Sequence, residues 1–350
     1  MKRGILKIIA MLTVLLVLAG CSVREVEVEP TMTPTATTTP TPEAEPALAI
    51  CMNTLDHPVH RQVQLGFLDG CKELGYEDVS IIGAVDGDQK SQLDMALEWA
   101  KSVEGRPAAM LLWNGDHNSD ELCEKLDEMG VYVGIPHFKI FVDDDYSALD
   151  EYENSGDSAA FEKVMLPAGI NFEYRIDDYE AGRRAAQLMA KKLDGKKGSV
   201  ICSVSTKGTS TNEPVAGFMD EFKRLKYSKE YDLSEITVQE YCMLGGEDIE
   251  WAQAAMGYYE EYGDLIGVFG YMSIDVIPWT TAFREKGVDP DDWVMITYDL
   301  TDSNIGRYES GEVDMLINQN YYFEGYKCAE NFDKLFKGEK VPKFEYIEAE

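Results

Sequence analysis

The sequence predicts an α/β protein in which two lobes, each a doubly wound parallel sheet, are joined by a hinge. Short apolar runs alternate with stretches whose apolar residues recur every three or four positions, as expected when strands and helices follow one another. The apolar runs contain few polar residues, which is typical of parallel strands covered by helices on both faces. One acidic, irregular stretch interrupts the alternation and divides the elements into two blocks.

The first block contains four predicted strands, with the sequences LAICM, VSIIGAV, AAMLLW and VYVGI. A helix is predicted after the first strand because apolar and small residues recur there at helical spacing. These residues are Val59, Val63, Gly66, Phe67, Gly70 and Leu74. A second helix, after the second strand, places Leu93, Ala96, Leu97 and Ala100 on one face.

The second block starts with a helix from Tyr179 and continues with five predicted strands, GSVICSV, ITVQEYC, LIGVFGY, WVMITYD and VDMLINQ. Further helices are predicted near 215–225, 249–262, 276–286 and 322–336. Open parallel sheets bind ligands at the carboxyl ends of their strands. Two such lobes that face each other are therefore expected to form a binding cleft.

The domain boundaries follow from these blocks and from composition. Residues rich in Thr, Pro and Glu precede the first strand, and such a segment cannot bury enough apolar surface to fold. We expect a signal peptide at 1–20, a lipidated Thr/Pro-rich tether at 21–46, an N-terminal lobe at 47–175 with an acidic insertion at 138–170, a C-terminal lobe at 176–318, a return to the N-terminal lobe at 319–340, and a hinge-crossing tail at 341–350.

The N-terminal residues are typical of an export signal. The start is basic, and an apolar core of about a dozen residues, too short to span a bilayer, leads to the sequence LAGCS. That ending resembles a bacterial lipobox, which implies lipidation of Cys21. The alternative is an ordinary secretory peptide with a chance cysteine. The prediction is an extracytoplasmic protein anchored to the outer face of the cell membrane by lipid.

Charge and motifs exclude several classes of function. The formal net charge of −32 argues against nucleic acid and anionic membrane surfaces as partners. The sequence contains no GxSxG, HExxH or Walker motif, and no GxGxxG opens a predicted helix. We therefore predict that the protein is not an enzyme and needs no cofactor. Cys51 and Cys202 lie in apolar runs, where buried thiols are expected.

Several motifs, in order, resemble the type I periplasmic binding proteins, in particular the ribose-binding, sugar-specific group. MNTLDHPVHRQVQLGFLDGCKELGY is similar to the family's opening strand, loop and first helix. IDDYEAGRRAAQLM is similar to its crossover into the second lobe, and KGTSTNEPVAGFMDEF to its threonine-serine loop. MITYDLTDSNIGRYESGEVDMLINQNYYFEGYKCAENFDKLFKGEKVP resembles its last third. The resemblance runs from about Ala49 to Val341.

The resemblance implies ligand-binding residues at matching positions. Asp299, in TYDLTD, matches the family's cleft aspartate, which accepts hydrogen bonds from sugar hydroxyls; its alternative role is a helix N-cap. Gln319 matches the hinge glutamine, which can donate and accept at once. Asp178 takes the crossover position that usually holds Asn, and we expect it to serve the hinge rather than the ligand.

Other ligand positions depart from the family pattern. His57 replaces an asparagine before Pro58, and Val59 and His60 replace an aromatic pair. The remaining departures are His137 and Phe138 in place of Asp-Arg, Asn212 or Pro214 in place of an arginine, and Met272, beside Tyr271, in place of an asparagine. Arginine grips hydroxyls through its fork of donors. The family's pentose contacts therefore do not carry over.

The four histidines are all expected in loops on the cleft rim of the first lobe. Three interpretations stay open: ordinary loop polarity, hydrogen bonding to a polar ligand, and a zinc site formed by His57, His60 and His137. No metal is assigned. Aromatic residues also cluster near strand ends, namely Trp113, Phe138, Tyr271, Trp279, Tyr321 and Tyr322. Trp113 is the strongest candidate among them for stacking on a sugar ring.

The predicted function is that of a monomeric, membrane-anchored substrate-binding lipoprotein of an ABC transporter. It would bind a small polar ligand, a sugar or related polyol, between two lobes that close on a hinge, and would deliver it to a permease. The alternatives are an extracytoplasmic sensor that signals to a kinase and a receptor for a solute that is not a sugar.

Overall fold

A computed structural model describes residues 44–84, 89–113, 120–137, 169–204, 209–242 and 248–349 of the 350-residue chain. The predicted signal peptide, the predicted lipidation site Cys21, Phe138, His117 and most of the acidic insertion lie outside these residues. None of the helices in the described ranges is both long enough and apolar enough to span a bilayer.

The described chain alternates between strands and helices, as predicted. The strands are β1 Ala47–Met52, β2 Val79–Gly83, β3 Ala108–Leu112, β4 Val131–Ile135, β5 Ile170–Ile176, β6 Gly198–Val204, β7 Ile236–Cys242, β8 Leu265–Gly270, β9 Val294–Tyr298, β10 Met315–Ile317 and β11 Phe344–Ile347. The helices are α1 Pro58–Glu73, α2 Gln89–Ser102, α3 Asp120–Glu128, α4 Asp178–Lys192, α5 Thr209–Ser228, α6 Asp248–Tyr262, α7 Ile277–Lys286, α8 Asp302–Glu309 and α9 Tyr321–Phe336.

The strands form two parallel sheets. The first has the order β11-β5-β4-β3-β1-β2, and the second has the order β10-β9-β8-β6-β7. Every pair of neighbouring strands runs parallel. The chain completes five strands of the first sheet, passes to the second, and returns through α9 to add β11. The predicted α/β class with two parallel sheets is confirmed.

Each sheet is covered by helices on both faces. In β1, Leu48 and Ile50 pack in one core with residues of α1 and α9. Ala49 and Cys51 point the other way, into a core with residues of α2 and α3. In β6, Ile201 packs against α7. Val200 and Cys202, on the other face of the strand, share the core that contains α4 and α5 residues. Cys51 and Cys202 are buried, as expected.

Strand β5, with the sequence INFEYRI, was not predicted, because no strand was assigned between the acidic insertion and the helix from Tyr179. Glu173 and Arg175 interrupt its apolar pattern, yet both side chains are buried. Arg175 donates to Glu213 of α5 at 3.1 Å, so its charge is paired across the two lobes. A pairing between residues far apart in the sequence therefore permits a buried strand that carries charges.

The tail joins the edge of the first sheet. Strand β11 pairs with β5 in parallel, with Phe344 opposite Glu173 and Ile347 opposite Ile176. Beyond this strand, the carbonyl of Ala349 accepts a hydrogen bond from Arg184 of α4. The exact boundaries of the predicted domains stay a prediction.

Candidate functional site

A cavity of about 290 Å³ lies where the carboxyl ends of strands from both sheets meet. Its walls come mostly from residues that directly follow strands or begin helices, which is where open α/β sheets bind ligands. The lining residues are Asn53, His57, Val59, His60, Trp113, His137, Asp178, Pro214, Tyr271, Met272, Ser273, Ile274, Asp299, Gln319 and Tyr321.

Most of the residues that the sequence singled out come together in this cavity. Of the ten predicted ligand-binding residues, eight line it: His57, His60, Trp113, His137, Tyr271, Met272, Asp299 and Gln319. Phe138 and the side chain of Asn212 lie outside the described residues, whereas Pro214, the other candidate for that position, lines the cavity. That these residues contact a ligand stays a prediction.

His60 is held in one tautomer. Helix α1 begins at Pro58, which tolerates the first helical position because no N–H is needed there. This places His60 in the first turn, where its Nδ1 lies 2.6 Å from the carbonyl oxygen of Thr54. A carbonyl only accepts, so Nδ1 carries the proton and Nε2 is an acceptor. Burial lowers the pKa of His60 to about 4, which keeps the ring neutral.

His137 is paired with a buried carboxyl group. Its Nδ1 lies 3.0 Å from Oε1 of Glu324, a residue of α9 that is fully buried. Burial lowers the pKa of His137 to about 4, although the nearby Asp178 and Asp299 oppose this shift. Burial also raises the pKa of Glu324 well above its usual range. This contact joins the end of β4 to α9.

Rings form a continuous row along the first lobe. Trp113 stacks on His137 with centroids 5.5 Å apart and planes 13° apart. His60 lies 4.4 Å from Trp113 on a tilted plane, and His57 lies 4.7 Å from His60. Tyr321 meets His137 edge-on at 4.9 Å. Trp113 is only 3% exposed, so it supports the two imidazoles and presents little open face to the cavity.

Asp299 stands at the end of β9 in a strained backbone conformation. Its φ of 69° is rare for a residue other than glycine. Asn304 holds this turn by donating to the carbonyls of Tyr298 and Asp299 at 3.1 and 3.4 Å. Oδ2 of Asp299 accepts the backbone N–H of Ser273 at 3.2 Å. Within the described chain, Oδ1 is buried and has no hydrogen-bond partner.

Both carboxyl groups of the cavity have raised pKa values. Burial raises the pKa of Asp299 to about 6, against the opposing influence of His137 and Ser273. Burial raises the pKa of Asp178 to about 7, and His137 again opposes the shift. Each group is thus costly to charge in the absence of a positive partner.

A hydrogen-bonded chain crosses from one lobe to the other. Nε2 of Gln319 donates to Oδ1 of Asp178 at 3.1 Å, and the hydroxyl of Tyr321 donates to Oε1 of Gln319. Asp178 begins α4, the first helix of the second lobe, whereas Tyr321 begins α9, which packs on the first. The expectation that Asp178 serves the hinge fits this contact, but the residue also lines the cavity.

Sequence reasoning missed Asn53, and two of the clustered aromatic residues that it named lie outside the cavity. Asn53 directly follows β1 and lines the cavity, with its Oδ1 atom buried and without a partner among the described residues. Its position as the first polar residue after a buried strand could have identified it. Trp279 is fully buried in the core of the second lobe, and Tyr322 is 43% exposed, so neither lines the cavity.

The zinc interpretation finds no support in the geometry. In the ranges that the structure covers, no group of three or more His, Cys, Asp or Glu side chains is arranged to hold a metal ion. His60 and His137 instead direct Nδ1 to Thr54 and Glu324.

Comparison with known proteins identifies the family of the chain. The sequence profile of a family described as Periplasmic binding protein domain matches residues 157–340. No curated protein gives a significant match. Among solved structures, the glucose-galactose binding protein GanP of Geobacillus stearothermophilus matches with a TM-score of 0.65 and 17% identity, over 88% of this chain and 96% of that one.

Two further structures show the same fold. A periplasmic solute-binding protein of an ABC transporter from Actinobacillus succinogenes, with bound D-allose, has a TM-score of 0.68 at 16% identity, over 87% of this chain and 96% of its own. A carbohydrate transporter solute-binding protein from Agrobacterium radiobacter, in complex with D-arabinose, has a TM-score of 0.65 at 18% identity, over 88% and 94%. The architecture is that of the type I periplasmic binding proteins.

Proposed function

The chain belongs to the periplasmic binding protein domain family, and from this premise we propose that it captures a sugar or related polyol and delivers it to an ABC permease. This is a family of binding proteins, in agreement with the prediction that the chain is not an enzyme. The observation that carries the proposal is the cavity itself, which combines buried hydrogen-bond acceptors with apolar and aromatic walls from both lobes.

The chemistry of the cavity suits a small polyhydroxylated molecule. The unpartnered oxygen atoms of Asn53 and Asp299 can accept hydrogen bonds from hydroxyl groups, and bonds to a buried carboxylate are the stronger kind. Val59, Met272 and Ile274 offer apolar surface to the C–H groups of the same molecule. One of the similar structures holds D-allose and another holds D-arabinose, which supports a sugar here.

Ligand binding would favour closure of the two lobes. A molecule that touches Asn53 of the first lobe and Asp299 of the second stabilises the arrangement in which both are near. The bonds from Tyr321 through Gln319 to Asp178 lie where the chain passes between the lobes, so they are suited to a hinge.

Thermal unfolding of the purified protein tests the proposal. A panel of D-glucose, D-galactose, D-allose, D-arabinose and D-ribose is added in turn, since a ligand that binds only the folded state raises its melting temperature. At 100 times its dissociation constant a ligand contributes about 2.7 kcal/mol. Asp299→Asn should reduce the shift, whereas Asp291→Asn, at an exposed position, should keep it. If no sugar, neutral or amino-substituted, raises the melting temperature, the proposed function is wrong.

The lipid anchor is a separate part of the proposal, supported by the LAGCS sequence. Cys21→Ser, in cells that express the chain, should move the protein from the membrane fraction to the soluble fraction because the acyl chains are lost. Retention of the variant on membranes would contradict lipidation at this residue.

A further inference from the structure

We propose that the ligand carries a protonated amino group, as an amino sugar does, and that this group binds beside Asp299 and Asp178. The inference rests on the proposed function and specifies its ligand. It starts from an imbalance of charge in the cavity. Among the described residues that line it, the two aspartates are the acidic ones, and no lysine or arginine accompanies them.

The aspartates are deeply placed. Asp299 and Asp178 are 7% and 8% exposed, so more than nine tenths of each is hidden from solvent. A carboxylate removed from water is unfavourable unless a positive group or several donors compensate it. Asp299 lines the cavity, and its buried Oδ1 has no hydrogen-bond partner in the described part of the chain.

The neighbouring cations do not compensate both groups. Arg175 lies near Asp178, but its Nη2 is paired with Glu213 at 3.1 Å, and its buried Nη1 makes no hydrogen bond to Asp178 in the described chain. His137 faces both aspartates, but its Nδ1 is engaged with Glu324, and burial disfavours its charged form. A cationic ligand would supply the missing positive charge at the place where the two carboxyl groups meet the cavity.

The hydrogen bonds of the cavity point to the same ligand. Two side-chain donors are already used within the protein, because Gln319 donates to Asp178 and Tyr321 donates to Gln319. Among the buried side-chain atoms without a hydrogen-bond partner in the described chain, those on cavity residues are both acceptors: Oδ1 of Asn53 and Oδ1 of Asp299. An ammonium group has three donors and no acceptor. Each sugar hydroxyl, by contrast, is also an acceptor and would need a donor from the protein. These two oxygen atoms therefore favour a ligand that supplies donors.

Paired ligands test this inference by isothermal titration calorimetry on the purified protein. D-glucosamine is compared with D-glucose, and D-galactosamine with D-galactose. The N-acetyl derivatives serve as controls that keep the nitrogen but remove its charge. In at least one pair the amino sugar should bind at least tenfold more tightly than both the parent sugar and the acetylated form.

Asp299→Asn keeps the shape of the side chain but removes its charge, and it should reduce the preference for the amino sugar about tenfold. Asp178→Asn gives an independent readout of the same preference if the first variant does not fold. Parent sugars that bind as tightly as their amino derivatives would overturn the inference and leave the proposed sugar-binding function intact. If neither the amino sugars nor the parent sugars bind, both are wrong.

Discussion

Helices α1 and α9 approach each other through two glycines, and this contact gives a sharp prediction for Gly66→Ala. A Cβ atom on Gly66 would lie 1.8 Å from the carbonyl oxygen of Tyr322 and 2.7 Å from its carbonyl carbon. On the partner helix, a Cβ on Gly325 would lie 2.1 Å from the carbonyl oxygen of Val63. Because these neighbours are backbone atoms, no change of rotamer can relieve the clash.

The cost follows from that geometry. Ordinary contact starts at 3.4 Å, so the two helices must separate by 1.6 Å along this contact, the difference between 3.4 and 1.8 Å. Overpacking of a well-filled core costs about 1–3 kcal/mol, and a backbone clash lies at the upper end. Alanine regains about 1 kcal/mol of helix propensity. The net loss is about 2 kcal/mol or more, which lowers the melting temperature by roughly 5 °C.

Thermal unfolding followed by circular dichroism measures this loss, and Gly257→Ala is the matched control. Gly257 also lies within a helix, α6, but it is exposed and a Cβ there would meet nothing within 4 Å. The control should melt at the wild-type temperature or slightly above it. A Gly66→Ala protein that is as stable as the control would refute the close contact of α1 and α9.

Two further predictions concern buried charges. The pKa of His137 is about 4 in the folded state, against 6.5 ordinarily. Above pH 6.5 the ring is neutral in both the folded and the unfolded state. As the pH falls from 6.5 towards 4, the unfolded state takes up the proton more readily, so the free energy of unfolding decreases by about 3 kcal/mol in all. Asp178 and Asp299 have raised pKa values, so their contributions to stability change with pH in the opposite direction. To isolate the contribution of His137, urea unfolding of His137→Gln should be compared with that of wild type at pH 7 and at pH 4.5. If the difference in stability between the two proteins is the same at both pH values, the shift in the pKa of His137 is contradicted. Arg175→Ala, which leaves the carboxylate of Glu213 without its partner at 3.1 Å, should lose about 3 kcal/mol in urea unfolding, and a loss below 1 kcal/mol would show that the pair is unimportant.

Local patterns in the sequence were sufficient for most of the fold. The apolar runs of β1 and β3 and the helical spacing of α1 depend only on neighbouring residues, so they can be read without knowing the tertiary structure. The same patterns locate the carboxyl ends of strands, and Trp113 was found for that reason, whereas Asp299 was found through the resemblance to the family. Strand β5 escaped because its buried Arg175 has its partner 38 residues further along the chain.

By itself, the sequence determined the alternation of strands and helices, the two blocks, and the positions at which polar and aromatic residues follow strands. Only the tertiary structure decided what those residues do. His137 meets Glu324, which is 187 residues away, and Asp178 meets Gln319, which is 141 residues away. Burial, tautomer and free hydrogen-bonding capacity arise from such distant contacts, because they depend on which atoms exclude water. Sequence spacing carries no record of them.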